Sequence, residues 1–272
     1  MPGEQPSLRI EGRYFADGCS AVGGVDEVGR GAWAGPVSIG IAVVTPGCGR
    51  RLPRGVKDSK QLTAAERESL FGPLSRSLAS FAVGHASNEE CDELGMTAAQ
   101  RIAASRAMEQ LDVLPEVVLL DGRFDFLADR LSGVSEFPPV RTIVKGDATV
   151  KSIAAASIVA KVTRDRLMMA QSEHYPWYCF ERNKGYPTPS HKAALAAWGC
   201  TPLHRSSWAF VDYLCYQPPG LVGSAARLAR AMRGQGTLFP EDIEEDPFGS
   251  EPLSTAGQEE EAGAAVPRAV LA

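Results

Sequence analysis

The sequence predicts an α/β protein: a mixed β-sheet flanked by helices, with a small helical C-terminal part and a disordered acidic tail. Three observations carry this expectation. After a β-rich start, helical and strand-like patterns alternate, the order that places helices on a sheet. The segment from Val150 to about Ala170 is apolar around most of its circumference, as a central buried helix must be. From Gln217 onward Pro, Gly, Ser, Ala and Glu dominate and periodicity fades.

The elements follow in order. Residues 1–20 are polar and Gly-containing and read as a loose lead-in, with the main domain at 21–216 and the tail at 217–272. Residues 21–29 read as a short strand ending at Gly29-Arg30-Gly31. Residues 35–46 are a β-branched run closed by Pro46 and Gly47, and the Gly-bounded link between the two runs suggests a hairpin. Thr63, with Glu66 three residues on, marks a capping box at the start of a helix that Gly72-Pro73 should break or kink. Residues 80–87 alternate like a strand, and Thr97 is read as the cap of a helix running to about Leu111. The apolar runs 116–122 and 140–147 each end at Gly and Asp. Short helices are expected near 190–198 and 206–215, and a further one at 224–233.

The 272 residues are 44% hydrophobic and 22% charged, which excludes a wholly disordered, collagen-like or coiled-coil chain. The longest strongly apolar run, Ile39 to Val44, is too short to cross a bilayer, and the N-terminus has no apolar signal core. A cytoplasmic protein without a membrane partner is expected, monomeric, with its six cysteines reduced, since none forms a CxxC pair. The net charge of −5 belongs to the tail: residues 217–272 hold nine Asp/Glu against four Arg, leaving 24 of each sign in the rest. A neutral body neither demands nor forbids a nucleic-acid partner.

Three strand-like runs end in acids: Asp26-Glu27, Asp121 and Asp147. Strand ends are where ligand sites gather in open α/β sheets. Clustered carboxylates repel, so a fold that retains them calls for a cation, and an all-oxygen set suits Mg²⁺ or Mn²⁺. Neighbours on a regular strand point to opposite faces, so at Asp26-Glu27 either the strand bends or only one acid faces the metal. Gly29-Arg30-Gly31 reads as a tight turn or as a backbone able to approach a ligand closely. Asp58-Ser59-Lys60 precedes a helix, where a polar turn is equally expected. Ser157, Lys161 and Arg164 fall at helical spacing and form one polar stripe, either solvated or functional. Lys184-Gly185-Tyr186 sets a ring beside a cation, for packing or for stacking. The four histidines show no HxxxH or HxH spacing, so no zinc site is built from them. Neither Ser59 nor Cys179 has the surroundings of an activated nucleophile.

Taken together and in order, Gly24-Val-Asp26-Glu27-Val-Gly29-Arg30-Gly31, Asp58-Ser59-Lys60, Leu120-Asp121-Gly122, Lys145-Gly146-Asp147, the Ala155–Asp165 segment and Lys184-Gly-Tyr186-Pro-Thr resemble bacterial ribonuclease HII over about residues 21–215. The resemblance implies a ribonuclease H-like sheet and cleavage of the RNA strand of RNA–DNA hybrids. It also implies nicking of duplex DNA 5′ of an embedded ribonucleotide, leaving 5′-phosphate and 3′-hydroxyl ends. It makes Asp26, Glu27, Asp121 and Asp147 the catalytic acids and the ligands of two divalent ions, Mn²⁺ or Mg²⁺. It assigns reading of the 2′-OH to Gly29, Arg30 and Gly31, and stacking on the next sugar to Tyr186. Lys60, Ser157, Lys161 and Lys184 become backbone-phosphate contacts. Trp33 is bulkier than the family pattern leads one to expect after this turn. A DNA nuclease of the same fold class leaves the Gly-Arg-Gly and Lys-Gly-Tyr pieces unexplained, and a catalytically silent binding protein leaves the four acids unexplained. In the tail, Gln235, Leu238 and Phe239 look like the Gln-x-x-Leu-Phe peptides that dock into the bacterial sliding clamp.

Overall fold

The computed structural model describes residues 5–128 and 137–214. Five strands form one sheet in the order β3-β2-β1-β4-β5. They are β1 (Val22–Val28), β2 (Val37–Val44), β3 (Ser80–Ala86), β4 (Val117–Asp121) and β5 (Val140–Ile143). The expected β1–β2 hairpin is present, and β3 continues it antiparallel. β4 and β5 then add on parallel to β1, which makes the sheet mixed. The helices are α1 (Arg9–Ala16), α2 (Ala64–Ser77), α3 (Asn88–Leu94), α4 (Met96–Glu109), α5 (Gly146–Thr149), α6 (Lys151–His174), α7 (Phe180–Asn183) and α8 (Pro189–Trp198).

Side chains alternating along the strands feed two cores. Val25, Ile39, Ile41 and Leu120 pack with Ala99, Ala103 and Ala107 of α4. Val22, Ala42, Val44 and Leu119 pack with Ile153, Ala155, Ile158 and Val162 of α6. The long helix is therefore central and buried, as its apolar circumference requires. Its close approach needs a glycine beneath it: a Cβ on Gly24 would lie 2.2 Å from the Ser152 carbonyl carbon. A third, smaller core joins the end of α6 to the C-terminal part through Met168, Tyr178, Phe180, Leu195 and Phe210.

Several expectations are corrected. The lead-in contains helix α1, which sets Ile10, Tyr14 and Phe15 against the α6-side core. Its buried Glu11 accepts the Ser152 N–H at 2.9 Å, capping α6 from outside that helix. Helix α2 runs through Pro73 without ending, and the Ser77 hydroxyl donates to the Pro73 carbonyl. Thr97 does not cap α4, which starts at Met96 from Gly95, a residue held at φ +82°. Helix α3 was not anticipated, although Ser87 and Glu90 repeat the capping box of Thr63 and Glu66. Asp147 does not end a strand: β5 stops at Ile143 and Asp147 lies in α5. Near 206–215 the regular structure is a 3-10 turn over Ala209–Tyr213. The expected helix at 224–233, the disordered tail and its Gln235, Leu238 and Phe239 lie outside the described residues. No helix among the described residues is long and apolar enough to cross a membrane.

Candidate active site

The parallel pairing of β1 with β4 aligns Val25 with Leu120, so Asp26 and Asp121 follow side by side at the strand ends. The Asp121 Oδ1 accepts the Gly146 N–H at 2.7 Å, which ties the turn carrying Asp147 to β4. Lys145, at φ +54°, reverses the chain into that turn. One ladder and one hydrogen bond thus gather three acids from three separate sequence segments.

The β1–β2 register is constant from Val22↔Val44 to Val28↔Ser38, so no bend turns Asp26 and Glu27 to one side. Asp26 is 8% exposed and faces α6, where the Ser157 hydroxyl bonds it. Its Oδ1 accepts the Glu27 N–H at 2.8 Å. Glu27 is half-buried and its Oε1 lies 4.0 Å from Arg30 Nη1.

The clustering and the burial of the acids shift their titration. Burial, followed by repulsion from Glu27, Asp121 and Asp147, holds the Asp26 carboxyl well above the ordinary range. Glu27 is raised by burial and by Asp121 and Asp147, against Arg30 and Lys60. Asp147 is pushed up to about 6 by burial, then by Asp121 and Asp58. Burial alone would lower Lys60, but Asp26, Asp147, Asp58 and Asp121 outweigh it and raise its pKa. Among the described residues no group of three His, Cys, Asp or Glu closes into a ready-made metal cage. The donor set nevertheless fits hard divalent cations. All four acids are carboxylates, and the mutual repulsion that adds to burial in raising Asp26, Glu27 and Asp147 is what a bound cation relieves.

Past β1 the chain makes the turn Gly29-Arg30-Gly31, with Arg30 and Gly31 exposed. The Gly29 N–H donates to Tyr186 Oη at 3.1 Å, so the two segments singled out separately meet. A Cβ on Gly29 would fall 2.3 Å from Arg164 Nε, and its φ is +87°, so only glycine fits. Lys161 and Arg164 lie over the Tyr186 ring, at 5.6 and 5.4 Å from its centroid. Lys161 also pairs with Asp165 at 2.9 Å. The Lys184 ammonium donates to the Glu181 carbonyl.

The polar stripe of α6 is not a solvated face. Ser157 and Arg164 are buried, and Ser157 Oγ lies 2.6 Å from Ser59 Oγ. Ser157 is thereby tied to the Asp58-Ser59-Lys60 turn, beside Asp26. Trp33 stacks on Phe210 at 4.2 Å, so its bulk faces the C-terminal core.

Sequence reasoning missed Arg67, His191, His204 and Arg205. Arg67 donates to the Ser59 and Leu62 carbonyls and lies 3.9 Å from Asp165. The histidines form a buried chain. His191 Nδ1 donates to the Tyr186 carbonyl at 2.8 Å, which leaves its Nε2 to accept from His204 Nε2 at 2.9 Å. His204 Nδ1 in turn accepts the Thr201 N–H at 2.9 Å. Burial and the neighbouring His191 lower His204 to about 3, so the chain is neutral. The separation of the two histidines in sequence carries no local signal.

A family model described as ribonuclease HII matches residues 23–211. A ribonuclease HII of Streptomyces avermitilis is 47% identical over 215 residues, covering 79% of this chain and 88% of that one. The crystal structure of ribonuclease H2 from Pyrococcus horikoshii OT3 superposes with a TM-score of 0.61 at 33% identity, covering 71% of this chain and 96% of that one. A PCNA:RNase HII complex from Archaeoglobus fulgidus shares the fold, with a TM-score of 0.54 at 23% identity, covering 73% of this chain and 98% of that one.

Proposed function

Because the chain belongs to the ribonuclease HII family, we infer that its hydrolysis is carried by Asp26, Glu27, Asp121 and Asp147. It is a metal-dependent endoribonuclease that cleaves RNA in RNA–DNA hybrids and at ribonucleotides embedded in DNA. The observation that supports the four-acid reading is their mutual repulsion at the ends of β1 and β4 and in α5. Two divalent ions, Mg²⁺ or Mn²⁺, held by these carboxylates would supply activation of the attacking water and stabilisation of the leaving 3′-oxygen. The products then carry 5′-phosphate and 3′-hydroxyl ends.

The chain's own residues do the rest. The Ser157 hydroxyl and the Glu27 N–H fix the Asp26 carboxylate. Lys60, held charged beside the acids, attracts the substrate phosphate. The Gly29-Arg30-Gly31 turn, exposed at Arg30 and Gly31, reads the 2′-OH, the group that distinguishes RNA from DNA. Tyr186, hydrogen-bonded to that turn, stacks on the following sugar at a junction. Lys161 and Lys184 flank the ring as backbone contacts. The tail residues Gln235, Leu238 and Phe239 supply a docking peptide for the sliding clamp, a reading that rests on the sequence alone.

The test compares a duplex carrying one ribonucleotide with the all-DNA duplex, with and without Mn²⁺ or Mg²⁺. Wild-type protein should nick only the first and only with metal, and Asp121→Asn should nick neither. Wild-type activity in the Asp121→Asn variant would remove the site assignment while leaving the family membership intact.

A further inference from the structure

Two arginines lie wholly buried beneath the 29–36 segment, and among the described residues no carboxylate is bonded to either. Arg164 and Arg205 are both 0% exposed. Burial pulls the Arg205 guanidinium down to about 10, with Arg164 adding to the shift, and burial lowers Arg164 too. A fold does not bury two like charges without compensating contacts. Here the contacts are backbone carbonyls. Arg205 donates from Nη1 to the Arg30 carbonyl at 2.9 Å and from Nη2 to those of Gly29 at 2.6 Å and Gly35 at 3.1 Å. Arg164 donates from Nε to Pro36 at 2.9 Å, from Nη2 to Ala34 at 3.1 Å and from Nη1 to Lys184 at 2.8 Å.

Five of these six carbonyls belong to residues 29–36. In a planar trans peptide the N–H points opposite to the C=O, and no cis bond is present among the described residues. With the Gly29 and Arg30 carbonyls drawn inward to Arg205, the N–H groups of Arg30 and Gly31 are turned outward, on two exposed residues. We propose that Arg205, supported by Arg164, is a positioning residue that aims the Arg30 and Gly31 amides at the ribose. Ribonucleotide recognition by an exposed turn is then set from inside the protein. The fork geometry does this: a guanidinium reaches the Gly29 and Arg30 carbonyls together from Nη2 and Nη1, which an ammonium cannot reproduce. The inference rests on the reading that this turn contacts the 2′-OH.

Fluorescence anisotropy with full-length protein and no divalent metal measures binding without cleavage. The probes are a duplex with one ribonucleotide and its all-DNA counterpart, and the variants are Arg205→Lys and Gly31→Val. Arg205→Lys should lower the preference for the ribonucleotide duplex on the order of tenfold, the scale of one charge-assisted hydrogen bond. Its affinity for the all-DNA duplex should stay within about twofold, since that term is set by phosphate contacts. A general loosening of the fold lowers both affinities together and would overturn the proposal, as would a folded Arg205→Lys that keeps the full preference. Gly31→Val separates the two levels of the argument, because a Cβ there meets no protein atom within 4 Å and the branch points into open space toward whatever approaches. If it leaves the preference intact, the turn does not read the ribose. If it abolishes the preference while Arg205→Lys does not, only the role of Arg205 fails. Should Arg205→Lys not fold, amide hydrogen exchange on the wild type decides. The Arg30 and Gly31 amides must exchange fast in the free protein and become protected by the ribonucleotide duplex alone. Slow exchange in the free protein contradicts the outward orientation.

Discussion

At the scale of single residues, the site is a place where stability is surrendered for chemistry. Asp26 is 8% exposed and its charge is opposed by burial and by three neighbouring acids. Replacing it with Asn keeps the shape and removes a repelling charge. Metal-free Asp26→Asn protein should therefore melt at a higher temperature than metal-free wild type, by thermal denaturation in a chelator. Its cleavage rate should fall by about 10³-fold or more, several kcal/mol of transition-state stabilisation, while duplex binding persists or rises. An unchanged or lower melting temperature would mean that the carboxylate is not strained. His204 gives a second, opposite linkage. Its folded pKa is about 3 against 6.5 for the free imidazole. Below pH 6.5 the unfolded chain takes up a proton that the folded chain refuses, so this contribution is complete above 6.5 and is lost as pH falls toward 3. The raised Asp147 carboxyl acts the other way between about pH 6 and its ordinary value of 3.8, because there the folded state binds more protons. The difference between wild type and His204→Gln isolates the histidine. Denaturant titrations should show the wild type losing up to about 1.4 kcal/mol per pH unit relative to the variant between pH 6 and 4. Parallel pH profiles would show that His204 is protonated in the folded protein.

At the scale of elements, what was legible followed sequence distance. Strands β1, β2 and β4 and the long helix α6 announce themselves by local apolar pattern, as does the capping box at Thr63. The capping box at Ser87 and Glu90 is written equally plainly, yet the helix it starts is one of the shorter ones, Asn88–Leu94, and holds too few turns for periodicity to register. Helix α1 could have been found from Ile10 and Tyr14 at i, i+4, but its reason for being ordered is remote: Glu11 satisfies the Ser152 N–H across 141 residues. The carbonyl contacts of Arg205 span 170 to 176 residues and leave no trace in a sequence window. Ser157, read from helical spacing alone, was placed on a stripe without its facing partner Ser59. The reach of α1 is testable. Glu11→Ala leaves the Ser152 amide, in the first turn of a buried helix, without its acceptor, an N-cap-type loss of about 1–2 kcal/mol. Urea denaturation should register that loss with catalysis per folded molecule unchanged, since Glu11 bonds Ser152 and none of the four acids. A Glu11→Ala protein as stable as wild type would assign the ordering of α1 to its apolar face alone.

At the scale of the whole chain, charge and function divide along the sequence. The residues up to 216 are balanced in sign and hold every acid, turn and cation assigned to cleavage, while 217–272 carry the full net charge of −5. An acidic tail adds repulsion toward a polyanionic duplex, weakened by salt over about 8–10 Å. Truncation after residue 216 should therefore leave cleavage of a free ribonucleotide-containing duplex within about twofold at physiological salt, and raise duplex affinity modestly at low salt. Steady-state kinetics at two ionic strengths read both effects. A large loss of kcat on truncation would place part of the catalytic machinery in the tail. The tail's own task is separable by the same logic. A peptide spanning 230–245 contains Gln235, Leu238 and Phe239, and it should bind the bacterial clamp, whereas the peptide with Leu238 and Phe239 changed to Ala should not. The apolar pair supplies the buried area, at about 1.5–3 kcal/mol per side chain, and Gln235 supplies the rim hydrogen bond. Equal binding by the two peptides, or none by either, would leave the acidic segment a solvating extension of a self-sufficient enzyme.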